Sequence, residues 1–496
     1  MANKPLLRPG RPDDENTDYL PLSIKGSDIV VNESGNNSQP YPELLEFHKD
    51  LLGSGIVNEW FEYVPKSYDA SRKTPVVFSM HGGLMNGWGQ AVYSSWTLVA
   101  EWEGFICVFP TATERNAWKV ELTEEGNKSI KKLAAVHPEF DFGEPLPPER
   151  VIDDNPDVKF VQALLERIKE KYNVDEGRVY MQGMSMGNAM TALIARNFGH
   201  LLAAAAGSGG PSDIELIFDG EGKVKNRSGS LFVWQTRPEL NGMPNETGLD
   251  EYDYNRLNRE YWLRINGCTT LPEIRIVGED NLSFFRGERA DLVYLDIKNR
   301  DHGQAFDEAE LTWDYLFSSV RRNEDGSFER LKGVRERAGD QFAVAFSDGC
   351  AKAWFQNRPF EMNTKVITWS KSKYHGLYGD HIVRGRYLCA PLSFLAFVFG
   401  AAYHRYENGR VVKLKLPDGR SVEFAEGCIG CTIDGRVESM LCEALYRDGE
   451  LLVPAAWFAA SLFNMHVSEC GKTIYITDHY ALLSSDTSRM LAEILS

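Results

Sequence analysis

The chain has few basic residues for its length and no long apolar run. Lys and Arg total 54 against 71 Asp and Glu, which leaves a formal net charge of −17. Nucleic acids and anionic membrane surfaces bind through a basic protein face, so we expect neither as a partner. Because no apolar run reaches the length of a bilayer span, the sequence also predicts no membrane-spanning segment.

Cysteine is also scarce. Eight cysteines in 496 residues are too few for a disulfide scaffold. Cys428 and Cys431 form a C-x-x-C pair, but a zinc site would need a second pair or closely spaced histidines. The flanks of the pair resemble a strand and a turn, whereas a redox pair would begin a helix. We therefore expect no metal site and no cofactor.

The N-terminal stretch "MANKPLLRPGRPDDENTDYLPL" lacks the apolar segment of a signal peptide. As written, the sequence predicts a cytoplasmic protein; the protein would be secreted if a leader had been removed. Polar residues, Pro and Gly dominate up to about residue 50, so residues 1–50 are interpreted as an N-terminal extension.

Short apolar runs alternate with amphipathic segments from about residue 51 onward. In "DVKFVQALLERIKEKY" (157–172), apolar residues recur at helical spacing. Continuous apolar strands separated by such helices predict an α/β fold with a mostly parallel sheet covered on both faces. We assign residues 51–325 to this α/β domain, 326–340 to a polar linker and 341–496 to a C-terminal domain.

The C-terminal part contains an internal repeat. "GRYLCAPLSFLAFVFGAAY" (385–403) matches "GELLVPAAWFAASLFNMHV" (449–467) at a constant offset of 64 residues (449 − 385). Each copy reads as a strand, a short helix and a hairpin. Repeated units usually bury their apolar faces against each other, so we expect one small α+β module with internal pseudosymmetry.

The stretch "RVYMQGMSMGNAMTALIARNF" (178–198) contains the pattern G-x-S-x-G centred on Ser185. A strand precedes this pattern and a helix follows it, which is the arrangement of a nucleophile elbow. An earlier strand ends in His-Gly-Gly. We therefore predict Ser185 as the nucleophile, with backbone amides of Gly82, Gly83 and Met186 as the oxyanion hole.

The base and the acid should follow later strands, because hydrolases of this kind use the order Ser, acid, His. His302 follows the strand-like run "DLVYLDI" and precedes a helix, which makes it the predicted base. The acid should follow "LFVWQ" (231–235), and Glu239 is the first carboxylate after that run. Asp250 and Asp253 remain alternatives.

From about residue 55 to 320 the sequence resembles the α/β-hydrolase esterases that include feruloyl esterases and poly(3-hydroxybutyrate) depolymerases. The matching stretches include "EYVPKSYDASRKTPVVFSMHGG", "GFICVFPTATE" and the segment around the G-x-S-x-G pattern. The resemblance implies Ser185 as nucleophile, His302 as base and oxyanion amides near Gly82 and Met186. The family usually has an Asp after the penultimate strand, and this sequence has none there.

Residues 340–480 resemble the copper amine oxidase N-terminal-like domain, which often accompanies secreted proteins of Gram-positive bacteria. The matching stretches include "AKAWFQNRPFEM" and "RYLCAPLSFLAFVFGAAY". Since His375, His381 and His404 lack ligand-like spacing, we expect no copper. The resemblance implies a module for attachment, stability or assembly, which could support homo-oligomers.

These features together predict a bacterial serine-dependent hydrolase of carboxylic esters that works through an acyl-enzyme intermediate. We expect a small-molecule or oligomeric substrate, either an aromatic (feruloyl-type) ester or a short acyl ester. Trp118, in a long insertion at 112–152, and Met184 are predicted to contact it. Two alternatives stay open: a serine peptidase on the same fold, and a hydrolase-like scaffold that binds without catalysis.

Overall fold

The structure is a computed structural model. It describes residues 44–113, 116–124, 154–242, 248–269, 271–373 and 381–496, with the single residues 128, 131, 132, 135, 152 and 379. The chain divides into two compact units. The first comprises Met1–Thr270, Phe284–Leu295 and Asn299–Arg337, and the second comprises Leu271–Ser283, Asp296–Lys298 and Ala338–Ser496. Most of the predicted insertion at 112–152 lies outside the described residues.

The strands up to residue 330 are the following: β1 (Leu45–Leu51), β2 (Val57–Tyr63), β3 (Thr74–Met80), β4 (Ile106–Pro110), β5 (Val174–Met184), β6 (Ala204–Ser208), β7 (Phe232–Leu240), β8 (Glu273–Val277), β9 (Asp280–Phe285), β10 (Leu292–Asp301), β11 (Val320–Arg322) and β12 (Phe328–Arg330). In the first unit, eight of them lie side by side in the order β1-β2-β4-β3-β5-β6-β7-β10. The pairs from β4 through β3, β5 and β6 to β7 are parallel, whereas β1, β2 and β4 pair antiparallel.

The helices of the first unit are α1 (Gly87–Tyr93), α2 (Trp96–Glu103), α3 (Pro156–Lys171), α4 (Met186–Phe198), α5 (Ile214–Ile217), α6 (Glu251–Asn266) and α7 (Glu308–Tyr315), with short 3₁₀ turns at Gly199–Leu201 and Phe317–Ser319. Helix α1 lies between β3 and β4 in the chain, α3 lies between β4 and β5, and α4 lies between β5 and β6. This order of strands and helices, with the sharp turn between β5 and α4, is the α/β-hydrolase fold. The fold class predicted from the sequence is therefore confirmed.

Helix α3 shows how local sequence sets an element. The side chain of Asn155 caps it by accepting hydrogen bonds from the backbone N–H groups of Asp157 and Val158, and Pro156 occupies the first turn. The buried face carries the apolar residues that the spacing predicted, Leu164 and Ile168 among them. The predicted helix at 157–172 is confirmed to within a residue.

Two polar regions contain more regular structure than their composition predicted. Strand β1 begins at Leu45, inside the predicted N-terminal extension, and pairs with β2. Part of the predicted linker forms β12, which pairs with β11 as a hairpin. Arg330 and Arg337 in this region form ion pairs with the buried Asp291, at 2.6 and 3.1 Å. The many charges here therefore include specific ion-pair partners.

The second unit is rich in short antiparallel strands. Beyond residue 340 its strands are β13 (Ala343–Ser347), β14 (Lys352–Phe355), β15 (Arg358–Glu361), β16 (Ile367–Lys373), β17 (Ile382–Pro391), β18 (Ala402–Tyr406), β19 (Val411–Lys415), β20 (Ser421–Ala425), β21 (Gly430–Ile433), β22 (Arg436–Ser439), β23 (Leu445–Arg447), β24 (Glu450–Pro454), β25 (His466–Cys470) and β26 (Thr473–Thr477). Its helices are α8 (Leu392–Val398), α9 (Ala455–Trp457) and α10 (Ser485–Leu495), with a 3₁₀ turn at Glu407–Gly409 and a π turn at Phe458–Leu462.

The two copies of the internal repeat pack against each other. Their strands β17 and β24 pair antiparallel, with Cys389 opposite Pro454 and Ala390 opposite Val453. At the offset of 64, Cys389 corresponds to Val453 and Ala390 corresponds to Pro454, so the two pairs are related by the internal pseudosymmetry. The helices that follow belong to one apolar core. The equivalent rings of Phe399 and Phe463 stack with centroids 4.4 Å apart, which confirms that the copies pack together.

Candidate active site

Ser185 lies at the sharp turn between β5 and α4. Its backbone has φ 54° and ψ −120°, a strained conformation that an L-residue seldom adopts. Glycine is required on both sides of the turn. A Cβ at Gly183 would clash with the carbonyl of Gly187, and one at Gly187 would clash with the carbonyl of Met80. The turn therefore presents the Ser185 hydroxyl at the carboxyl edge of the sheet.

His302 follows β10 directly and faces Ser185. Its Nε2 atom lies 3.0 Å from Ser185 Oγ, and its Nδ1 atom lies 2.7 Å from Asn241 Oδ1. With the proton on Nδ1, the ring donates to the Asn241 amide oxygen and Nε2 is free to accept the serine proton. The structure thus brings together the predicted nucleophile and base with a third residue that the sequence did not predict.

The structure corrects the position expected for the acid. Glu239 was expected at His302 Nδ1, but its Oε2 atom accepts a hydrogen bond from the backbone N–H of Asn299 at 3.0 Å. Strand β7 continues beyond Gln235 as far as Leu240, so Glu239 is still part of the strand. Asn241 is the residue that directly follows β7, and it occupies the place expected for the acid.

The two alternative acids belong to α6. Asp250 caps the N-terminus of that helix by accepting from the backbone N–H of Asp253 at 2.8 Å. Asp253 forms an ion pair with Arg256 one turn further on, at 3.1 Å. Both carboxylates therefore have helix-stabilising contacts, and His302 Nδ1 is paired with the Asn241 amide.

Burial controls the protonation of His302. Loss of water around the ring lowers the pKa of His302 from its ordinary value, and the neighbouring Asp301 carboxylate acts in the opposite direction. A neutral imidazole is the form that can act as a base. The ring is therefore in the reactive form at neutral pH.

The predicted oxyanion amides belong to Met186 and to the loop that contains Gly82 and Gly83. Met186 begins α4, where helix N–H groups have no partner within the helix. Gly82 and Gly83 follow the end of β3. A Cβ at Gly82 would lie 3.1 Å from Met184 Sδ, so this loop packs closely against the elbow. Helix N-termini and such glycine loops are the usual donors to an oxyanion.

His81 stabilises the loop that carries Gly82 and Gly83. Its Nδ1–H donates to the Gly82 carbonyl at 2.6 Å, and its Nε2 accepts from the Ala112 amide at 2.9 Å. Burial lowers the pKa of His81 to about 4, so the ring is neutral and this tautomer persists at neutral pH. His81 thus shapes the loop, and the base position at Ser185 is held by His302.

The structure also corrects the substrate contacts expected for Trp118 and Met184. Trp118 is buried, its Nε1–H donates to the His81 carbonyl at 2.8 Å, and its ring packs on His81. Met184 is buried in a cluster with Met85 and Tyr93. Both side chains support the elbow and the glycine loop from behind, because their apolar surface is covered by neighbouring core residues.

A cleft of about 490 Å³ opens beside Ser185. Its walls include Leu216 and Leu249 and several polar side chains that hold one another in place. Asp213 accepts a hydrogen bond from the Tyr254 hydroxyl at 2.9 Å. Deeper in the wall, the buried side chains of Glu121 and Arg196 form an ion pair. The cleft therefore presents polar groups close to Ser185.

Comparisons with known proteins point to esterases. No family model matches the chain. A segment of 140 residues is 24% identical to a bifunctional acetylxylan esterase/xylanase, XynS20E, from Neocallimastix patriciarum, and this match spans 28% of the chain and 16% of that protein. The chain thus covers only a small part of that relative. The resemblance of residues 340–480 to the copper amine oxidase N-terminal-like domain stays a prediction.

Solved structures similar to part of the chain include two esterases. One is an acetyl xylan esterase from Aspergillus awamori, at 14% identity and a TM-score of 0.37. The match covers 54% of this chain and 97% of the esterase chain. The other is a thermostable esterase, at 17% identity and a TM-score of 0.34. The match covers 52% of this chain and 56% of the chain of that esterase.

Within the described residues, no helix is both long and apolar enough to cross a bilayer.

Sequence reasoning missed Asn241 and the polar wall of the cleft. The available signal for Asn241 was the rule that the third residue follows the penultimate strand directly. That strand has no clear end in the sequence, because "TRPEL" contains charges and a proline that are typical of a loop. Asp213 and Tyr254 come together only when α6 packs near the start of α5, which no local pattern indicates.

Proposed function

We propose that the first unit is a serine-dependent hydrolase of carboxylic esters. The observation that carries the proposal is the chain of contacts from Ser185 through His302 to Asn241. Ser185 Oγ attacks the ester carbonyl while His302 Nε2 takes its proton. The imidazolium returns this proton to the leaving alcohol. Water then repeats the cycle on the acyl-enzyme and releases the acid.

The remaining groups assist charge and orientation. In this proposal, the amides of Met186 and of the Gly82–Gly83 loop stabilise the oxyanion of the tetrahedral intermediate. The Asn241 amide oxygen holds the proton on His302 Nδ1 and so keeps Nε2 available to Ser185. An asparagine has the same orienting role in papain-like cysteine peptidases.

The neutral third residue favours esters over peptides as substrates. An amide leaving group must be protonated by the imidazolium, and a carboxylate stabilises that cation more strongly than an amide oxygen does. Ester alcohols leave more readily and depend less on this step. Papain-like peptidases cleave peptides with the same asparagine, but their nucleophile is a thiolate that rests beside an already charged imidazolium. For a serine nucleophile, the Asn241 contact supports the esterase proposal over the serine peptidase that the sequence left open.

The cleft supports a short acyl group on a polar or aromatic alcohol. The wall groups Asp213, Tyr254 and Asn255 offer hydrogen-bond partners to hydroxyl groups, and Leu216 and Leu249 offer apolar contact. Hydroxylated alcohols such as sugar units fit this mixture. The relative named as an acetylxylan esterase/xylanase agrees with this substrate class.

Three assays test the proposal. Wild-type protein should hydrolyse p-nitrophenyl acetate and should not cleave matched peptide anilides. The Ser185→Ala variant should have no esterase activity. A fluorophosphonate probe should label Ser185 in the wild type. A wild-type protein that hydrolyses no aryl, feruloyl or acetylated-sugar ester and resists the probe would support the non-catalytic scaffold instead.

A further inference from the structure

Glu308, the first residue of α7, has a buried carboxylate that the proposed mechanism does not use. Glu308 as a whole is only 1% exposed, which is rare for a glutamate. Its Oε1 atom accepts a hydrogen bond from Thr236 Oγ1 at 2.8 Å, and its Oε2 atom accepts from the Ala305 amide at 3.4 Å. Donors from β7 and from the loop before α7 thus meet on this carboxylate.

These two segments are strand β7 and the loop that carries His302, here called the base loop (residues 302–308). Strand β7 and the residue after it contact the base loop at both ends. Asn241 bonds to His302 at the start of the loop, and Thr236 bonds to Glu308 at its end. The Thr236 hydroxyl is itself held by the indole N–H of Trp234 at 2.8 Å.

A third segment completes the enclosure. The Gly209 amide, directly after β6, donates to the Thr236 carbonyl at 3.3 Å. A Cβ at Gly209 would lie 3.4 Å from Nδ1 and Cε1 of the His302 ring, so its backbone packs on that ring. Gly209 thus contacts the His302 ring and also bonds to Thr236, the residue that donates to Glu308.

We propose, on the basis of the function proposed above, that Glu308 is a positioning residue for His302. Its carboxyl group ties the end of the base loop to Thr236, and this tie keeps His302 Nε2 directed at Ser185 Oγ. Small displacements of a catalytic group reduce rates steeply, by about 100-fold for 1 Å. Release of the loop end should therefore lower turnover and leave the cleft intact.

The chemistry of the site explains why either protonation state can serve. Burial raises the pKa of Glu308 to about 7, against the opposing hydrogen bond from Thr236, and the nearby Asp307 carboxylate raises it further. Either form retains an oxygen that accepts from Thr236. Glutamine also keeps one such oxygen, so Glu308→Gln should preserve the tie to β7.

The test compares kcat and KM for p-nitrophenyl acetate well below the unfolding midpoints of all variants. Glu308→Ala and Thr236→Val should each lower kcat by about 10- to 100-fold with KM within about twofold of wild type. Glu308→Gln should stay within about threefold. The double variant should lose little more than either single one, because both changes break the same tie. Glu310→Gln, in the same helical turn, is the matched control.

Labelling of Ser185 by a fluorophosphonate gives a second readout that does not depend on the choice of ester. Slower labelling in Glu308→Ala and Thr236→Val, with rescue in Glu308→Gln, supports the proposal. Thr236→Val lacks the hydroxyl that donates to Glu308 and accepts from Trp234. Wild-type kcat and labelling in this variant, once it is shown to be folded, would overturn the proposal. Failure of the proposed function itself looks different: Ser185→Ala would then match the wild type, whatever the Glu308 variants do.

Discussion

The ends of β5 and β7 make an instructive contrast. Both strands end at the carboxyl edge of the same sheet, and each is followed at once by a residue that contacts His302. Ser185 could be located from sequence because the glycines around it are required by the turn itself. Asn241 could not, because the end of β7 is set by pairing with neighbouring strands rather than by its own residues. Steric requirements that act within a few residues can be predicted from a sequence, whereas the length of a strand cannot.

The two ends also differ in chemistry. The β5 end carries Ser185, the proposed nucleophile, at the sharp turn before α4. The β7 end places an uncharged amide where hydrolases of this fold usually have a carboxylate. Since burial lowers the pKa of His302 and Asn241 adds no negative charge, this site favours the neutral imidazole. The following predictions probe this contrast, from the largest expected effect to the smallest.

The β5 end should be indispensable. Ser185→Ala removes the nucleophile and should lower kcat for p-nitrophenyl acetate by about four to six orders of magnitude. The thermal unfolding midpoint should change by only a few degrees, since Ser185 is half-buried and Ala can adopt the turn without a new clash. Substantial residual turnover with the same pH profile would place the nucleophile elsewhere.

The β7 end should matter less. Asn241→Ala removes the acceptor at His302 Nδ1 and should lower kcat by about 10- to 1000-fold, because the nucleophile and oxyanion amides remain. KM should change by less than about threefold. A kcat equal to that of the wild type would show that Asn241 does not orient the ring in solution.

The charge difference can be tested by Asn241→Asp. The base works when neutral, so kcat/KM falls as the pH drops through the His302 pKa. In the wild type this acid limb should lie below about pH 6.5, the ordinary histidine value. The carboxylate introduced by the substitution should stabilise the imidazolium and move the limb upward by about one unit or more. An unchanged pH profile would contradict the contact between residue 241 and Nδ1.

Glu308 should make stability depend on pH. Its pKa of about 7 in the folded state lies above that of an unfolded glutamate. Its contribution to stability is therefore complete below about pH 4.3 and is lost as the pH rises through 7. Glu308→Gln does not titrate, so its free energy of unfolding relative to wild type should increase by up to about 3 kcal/mol between about pH 5 and pH 8. Urea unfolding at both pH values measures this, and a constant difference would contradict it.

Glu239 should be nearly silent in catalysis. Its carboxylate accepts from the Asn299 amide, and Asn241 holds the place at His302. Glu239→Gln can keep that bond through its amide oxygen, so kcat and KM should stay within about twofold of wild type. A loss of about 100-fold or more would restore Glu239 as the acid and show that the ring changes partner in solution.

Much of the fold could be predicted because its signals are local. The apolar spacing predicted α3, and the repeat at an offset of 64 predicted that its two copies pack together, as the pairing of β17 with β24 shows. Predictions from composition alone fared worse. Residues 326–340 were predicted as a linker because charges dominate there, yet Arg330 has a specific partner in the buried Asp291. Composition records polarity and does not record which charges are paired.

The sequence by itself determined the elbow at Ser185, the glycine loop after β3 and the placement of His302 after a strand. In each case a steric or periodic requirement acts over a few residues. Tertiary structure alone decided that Asn241 meets His302, that Trp118 packs behind the site, and that Thr236 reaches Glu308. These contacts join residues distant in the chain, and their formation depends on where strands end and how helices pack. Such contacts arise from the sum of many weak long-range interactions, and no short stretch of sequence records that sum.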